Sequence, residues 1–263
     1  MHKLFYGSIL FLFFALAGCK KTKECMYSYP PVAADKYIYP VKSGSAEWNA
    51  AIASGIGQSY PLDSVYKLCQ IPDNILQPMS TLGLIQSLED NPCLFNMMLR
   101  DNIVQGRDEV LSRLNVSWVL NKRSDAGITL LKYYEAKDPN IISCIDADRE
   151  QARYSLNWYL FDKVCSQDSL LNKLDKPLKK RFAKTIINKY NTQMKYPNSF
   201  GGVQEPMIFI LSRLMVLEGF QPFIDAMQAD VNLTAFAVSS IFLVDYRDIY
   251  SKVLEFSNQF INS

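Results

Sequence analysis

Between Ser45 and Ser263 the apolar residues recur at helical spacing, and no stretch shows the sustained alternation that a half-buried strand would need. Ser45 is placed to cap a helix through Trp48 and Ile52. Pro61 and Asp63 open a second, carrying Val65 and Leu68. Ser80 or Thr81 can cap a third, with Leu84, Ile85 and Leu88 on one face. Pro92 stands where a proline suits the first turn of a fourth. Further helices are predicted over 105–115, 124–136, 146–171, 175–196, 204–219 and 231–261. The clearest amphipathic pattern follows Leu174: Leu178, Phe182, Ile186, Tyr190 and Met194 recur every fourth residue, joined by Ala183 and Ile187, against a lysine-rich opposite face. Met207 to Leu217 and Leu233 to Val244 are apolar almost all round and too short to span a bilayer, so both are predicted as central core helices. No helical-repeat consensus returns at a fixed period. The expected fold is all-α, an irregular multi-helix bundle, with a repeat-like array of helix pairs as the alternative. Residues 45–263 read as one helical globular domain, a division into 45–140 and 141–263 staying open.

The N-terminus has another pattern. Met1-His2-Lys3 is followed by an apolar run from Leu4 to Ala17, shorter than the roughly 20 residues of a spanning helix, which fits a signal peptide over 1–18. Leu16-Ala17-Gly18-Cys19 closes it and resembles the lipobox of bacterial lipoproteins. The resemblance implies cleavage before Cys19, lipid attachment to the Cys19 thiol and acylation of the new amine. Two or more acyl chains make such an anchor durable. Lys20 does not match the aspartate that favours inner-membrane retention, so a lipid-anchored place at the outer membrane is expected, the leaflet left open.

Residues 19–44 form the lipidated N-terminus and a Pro/Tyr-rich tether containing Pro30, Pro31, Pro40 and Gly44. Tyr27, Tyr29, Tyr37 and Tyr39 are too many aromatics for an ordinary loose linker. Packing along the domain surface is the first expectation, an aromatic ligand-binding strip the second.

Cys69-Gln70-Ile71-Pro72, Met79-Ser80-Thr81, Leu84-Ile85, Asn91-Pro92 and Lys122-Arg123-Ser124-Asp125-Ala126-Gly127 resemble a helical domain of uncharacterised function found in Bacteroidetes secreted proteins and lipoproteins. In that family a tyrosine commonly stands where this chain has Asn91. The resemblance covers about residues 65–135 and implies location and helical architecture, with no functional residue.

Charge and chemistry narrow the field further. Removal of residues 1–18 takes His2, the single histidine, and Lys3, leaving 27 basic against 26 acidic residues. A near-neutral body exerts no general pull on nucleic acid. Without histidine, Ser-His-Asp and Cys-His mechanisms and histidine zinc sites drop out. Chemistry by carboxylate, lysine, tyrosine, or serine with lysine survives. No cofactor or metal is implied.

Beyond Cys19, an odd set remains: Cys25, Cys69, Cys93, Cys144 and Cys165, with no Cys-x-x-Cys. Cys69–Cys93 and Cys144–Cys165 are the candidate bridges, and buried free thiols are the favoured state. Asp146-Ala-Asp148-Arg-Glu150 begins like a calcium loop, but Gln151 and Asn157 occupy the positions that need glycine and glutamate, so the acids read as first-turn helix residues. Gly83-Leu84-Ile85-Gln86 matches a lytic-transglycosylase cleft motif by chance, since no Glu-Ser precedes it. Arg213, inside an apolar helix, needs a partner, with Asp245 or Glu218 as candidates. The basic cluster Lys173 to Lys184 reads as a solvated face.

These features lead to a lipid-anchored envelope protein with a non-catalytic helical binding or scaffolding domain. Its expected partners are the membrane, through the lipid at Cys19, and an envelope protein or glycan. The alternative is a carboxylate-dependent hydrolase acting on peptidoglycan or glycan. Its acids would come from Glu89, Asp90, Asp146, Asp148 and Glu205, facing each other about 5–10 Å apart.

Overall fold

The computed structural model describes residues 25–55, 62–241 and 245–263; Cys19 and the apolar run before it lie outside the described residues. Among the described residues the fold is all-α and has no strand. In chain order come α1 (Ala46–Gly55), α2 (Asp63–Leu68), α3 (Asp73–Leu76) and α4 (Thr81–Glu89), then a 3-10 segment over Pro92–Leu99. Next are α5 (Ile103–Leu111), α6 (Asn115–Lys122), α7 (Ala126–Ala136) and a second 3-10 segment over Pro139–Cys144. The remainder is α8 (Asp148–Cys165), α9 (Asp168–Leu171), α10 (Lys176–Gln193), α11 (Pro197–Phe200), α12 (Glu205–Leu217), α13 (Gln221–Ala229), α14 (Val231–Ser239) and α15 (Tyr246–Asn262).

Caps set most of the boundaries. Ser45 Oγ accepts from Trp48 N–H at 3.2 Å and opens α1. Ser80 Oγ accepts from Gly83 N–H at 3.0 Å and opens α4. Asn91 starts the segment led by Pro92, which winds as a 3-10 helix. α12 ends where Gly219 takes the left-handed φ of +63°. There Phe220 N–H reaches Met215 O and Gly219 N–H reaches Val216 O, the two bonds of a Schellman turn. The chain then bends by 110° into α13.

Two long helices expected from the sequence are broken. The stretch 146–171 stops at Cys165: Gln167 turns extended (ψ 122°), and the Ser166 carbonyl left at the helix end accepts from Arg107 Nη1 at 2.7 Å. The stretch 231–261 stops at Ser240, a left-handed residue (φ 57°) whose hydroxyl donates to Glu205. Leu233 to Val244 is therefore no central helix. Leu233, Phe236 and Ala237 are buried, Val238 and Ile241 are exposed, and Val244 lies outside the described residues. α12 does occupy the centre, with every residue from Pro206 to Ser212 buried. On α10, Phe182, Ala183 and Ile186 are buried while Met194 stays exposed.

One continuous apolar core runs from Tyr39 to Phe260. At its middle Tyr134 of α7 meets Trp158 and Phe161 of α8 and Phe182 of α10, with ring centroids 5.7, 6.2 and 5.2 Å away. These separations suit edge and offset contacts between aromatic rings.

Candidate functional site

Residues 25–44 are a strap laid across the bundle rather than a loose tether. Cys25 is bonded to Cys144, with Cα atoms 5.3 Å apart. Farther along, Gln86 of α4 grips two backbone groups. Its Oε1 accepts from Ala33 N–H at 2.8 Å and its Nε2 donates to Pro31 O at 2.7 Å. Ser87 Oγ accepts from Tyr37 N–H at 2.8 Å. The Asp35 carboxylate accepts from Ser80 N–H at 2.5 Å and from its hydroxyl at 2.8 Å, and these bonds hold it below the ordinary carboxylate range. Lys36 pairs with Asp90 at 2.5 Å. Asn91 Nδ2 donates to Tyr39 Oη at 2.9 Å and to Cys69 O at 3.0 Å, deep in the core.

This arrangement accounts for several sequence features. Gly83 leaves room for the Asp35 carboxylate, since a Cβ there would sit 2.4 Å from Asp35 Oδ1 and push that side chain aside. In Gly83-Leu84-Ile85-Gln86, the glycine admits Asp35, Leu84 and Ile85 fill the core, and Gln86 binds the strap. Two of the four tyrosines face inward together, Tyr39 buried and Tyr37 edge-on to it at 5.0 Å, while Tyr29 is exposed.

Residues of the 65–135 resemblance bond one another at and before the start of α4. Thr81 Oγ1 donates to Asp125 at 2.7 Å. Arg123 Nη2 donates to Gln77 O and Met79 O at 2.9 and 3.1 Å. Just past α2, Gln70 accepts from Asn115 N–H at 3.0 Å and donates to Arg113 O at 2.9 Å, while the Asn115 side chain accepts from Ile71 N–H and donates to Ile71 O, at 3.1 and 2.7 Å.

The cysteines depart from expectation. Cys69–Cys93 forms, with Cα atoms 6.4 Å apart. Cys144–Cys165 does not: Cys144 takes Cys25, 119 residues away in sequence, and Cys165 is buried and free. Spacing along the chain favoured neighbours, and only the course of the strap brings Cys25 to Cys144. Arg213 also has another partner. Its guanidinium forks onto Asp168 at 3.0 and 2.7 Å and donates to Ala237 O at 3.1 Å, tying α12 to α9 and α14. Glu218 instead pairs with Lys179 at 2.9 Å, and Asp245 with Arg247 at 2.6 Å.

The five acids considered for hydrolysis occupy different settings. Glu89 accepts from Tyr133 Oη at 2.6 Å and from Lys137 Nζ. Lys137 in turn stands 4.8 Å from the Trp158 ring and 4.6 Å from that of Phe161. Asp90 holds Lys36, and Asp146 and Asp148 are exposed at the start of α8. Glu205 is mostly buried and accepts from Ser240, and burial raises its pKa. Of the basic cluster, Lys179 holds Glu218, Arg181 forks onto Glu135 at 2.6 and 2.5 Å, and Lys180 reaches the Ser263 carbonyl.

A buried acid stands beside this network, and no local pattern marks it. Asp162 is fully buried, and neither carboxyl oxygen nor the Tyr134 hydroxyl beside it completes a hydrogen bond. Burial pushes the Asp162 carboxyl up to about 8, so it is protonated at neutral pH. Lys163, next in the chain, is lowered to about 8 by burial and donates to Met97 O at 3.3 Å.

Two concavities lie on the surface of the described residues. One, of about 270 Å³, lies between α7 and α10 and is lined by Glu135, Asp138, Thr185, Asn188, Lys189 and Thr192. Its two acids are engaged, Glu135 with Arg181 and Asp138 with Asn140 N–H at 3.0 Å. The other, about 420 Å³ and mainly apolar, lies between α13 and α14 and is lined by Ile224, Met227, Gln228, Val231 and Thr234. No known protein family, curated protein or solved structure matches this chain.

Proposed function

We propose that this is a lipid-anchored cell-envelope protein of Bacteroidetes type, whose helical domain binds or scaffolds an envelope protein or glycan without catalysing a reaction. The observation that carries the reading is the Cys25–Cys144 bond, six residues after the lipobox cysteine. Together with Cys69–Cys93 it suits an exported chain, since disulfides persist in oxidising compartments. It also fastens the anchored end of the chain to the folded body, the arrangement a membrane-held scaffold needs. The acids support the non-catalytic side, because each of Glu89, Asp90 and Glu205 is committed to a separate neighbour. The apolar cleft between α13 and α14, with Val231 and Val238 exposed beside it, offers a partner a surface.

Radiolabelled palmitate is expected to enter the full chain and not the Cys19→Ala variant, and the variant is expected to leave the membrane fraction. Equal fractionation of both forms would overturn the anchoring. Affinity capture from membranes should then recover an envelope component that a Val231→Asp variant loses. Capture unaffected by that change would move the binding face elsewhere.

A further inference from the structure

The strap has two sides, and only one is spent on the bundle. Gln86 holds the backbone of Pro31 and Ala33, so Val32 between them projects outward. Tyr37 and Tyr39 turn inward, so Ile38 between them projects outward too. Met26 is 83% exposed, Ile38 83%, Val32 73% and Tyr29 63%. Across the rest of the described chain, only Val231, at 70%, is as exposed among the large apolar side chains. Thirteen consecutive residues therefore carry four of the five most exposed large apolar groups, on a segment that is otherwise tightly bonded.

The chain itself points to what covers them. Cys19 and Cys25 are six residues apart, which at full extension reaches only about 20 Å. The Cys25–Cys144 bond fixes the far end of that reach on the folded body. The intervening stretch holds Lys20, Lys21 and Lys23 against Glu24, a local excess of positive charge suited to anionic headgroups.

We infer that Met26, Tyr29 and Val32 form the surface that lies against the lipid bilayer, so that the strap is both the clasp of the fold and its membrane-facing side. This rests on the lipidation of Cys19 proposed above. The anchor brings the strap to the interface, and its outward side chains enter the headgroup boundary as other interfacial apolar groups do. Opposite the strap, the body then faces away from the membrane.

The test uses the full lipidated protein in phosphatidylcholine–phosphatidylglycerol vesicles containing lipid brominated near the carbonyl end of its chains. Met26→Trp, Val32→Trp and, as a control, Val231→Trp are compared with the unsubstituted protein, whose Trp48, Trp118 and Trp158 supply the background. All three sites are exposed, so the substitutions leave the core untouched. Flotation is read first. In protein that floats, the added emission at 26 and 32 is expected to fall by about half and that at 231 to persist, because quenching needs entry into the interface. Equal quenching at all three sites, or none at 26 and 32 in floating protein, overturns the orientation while leaving the anchor intact. Protein that does not float overturns the anchor and the orientation together.

Discussion

At the scale of single residues, Gly83 and Asp162 make opposite demands. Gly83 is a helical residue, where alanine would ordinarily be better by about 1 kcal/mol. Here an added Cβ meets Asp35 Oδ1 at 2.4 Å, so the gain comes at the cost of the Ser80–Asp35 bonds. Gly83→Ala is therefore expected to change global stability by less than about 1 kcal/mol while hydrogen exchange of residues 31–37 speeds up. Asp35→Ala should have the same local effect, and the double variant should be no worse than either single one, since one contact is lost in all three. Unchanged exchange in Gly83→Ala would show that the carboxylate accommodates the methyl group. Because the Asp35 pKa is lowered on folding, its contribution is present above the ordinary carboxylate range and fades as pH falls through the lowered value.

The sign is reversed at Asp162. Its folded carboxyl titrates at about 8 against an ordinary 3.8, so the folded state keeps a proton that the unfolded chain releases above pH 4. The Asp162 contribution is full below pH 4 and falls as pH rises towards 8, by up to about 1.4 kcal/mol per pH unit for one proton. Glu205, also raised by burial, adds to the slope, whereas Lys163 acts in the opposite sense above pH 8. Asp162→Asn removes the larger share. In urea unfolding it should be more stable than the unsubstituted protein at pH 8, and the two should converge near pH 4. A variant with an unaltered pH slope would place the proton elsewhere.

At the scale of elements, the strap shows what the sequence could and could not reveal. The caps at Ser45 and Ser80, the first-turn proline Pro92 and the buried stripe of α10 were legible, because each depends on residues within one turn of each other. The breaks at Ser166 and Ser240 were not. At each break the chain end is met by a distant partner, Arg107 and Glu205, 59 and 35 residues away, and local periodicity carries no record of such partners. The same limit hid the pairing of Cys25 with Cys144 and of Arg213 with Asp168. Closing a loop of about that length stabilises a fold by roughly 2–5 kcal/mol, so Cys25→Ser should lower Tm markedly and open residues 25–44 to protease. A covalent count provides the companion check. Under denaturing, non-reducing conditions alkylation should modify Cys165 and none of Cys25, Cys69, Cys93 or Cys144. Modification of Cys144 would contradict the clasp.

At the scale of the whole molecule, a division near residue 140 is attractive in sequence, yet the interior crosses it. Tyr134 lies on one side, while Trp158, Phe161 and Phe182, the rings packed around it, lie on the other. The Glu89–Lys137 pair is screened from water by Trp158 and Phe161, so a chain ending at residue 140 would bare a buried ion pair as well as an aromatic face. The strap adds a covalent crossing through Cys144. Losing one large buried aromatic costs about 3–5 kcal/mol, and a domain of ordinary stability has only about 5–15 kcal/mol in all. Residues 25–140 expressed alone should therefore lack a near-ultraviolet circular dichroism signal and unfold without a cooperative transition. The full chain should show a single transition by fluorescence and far-ultraviolet dichroism alike. A fragment that unfolds cooperatively would mean that the contacts around Tyr134 join two units each stable alone. The Cys25–Cys144 bond would then be a covalent tie between two self-sufficient units rather than part of a single interior.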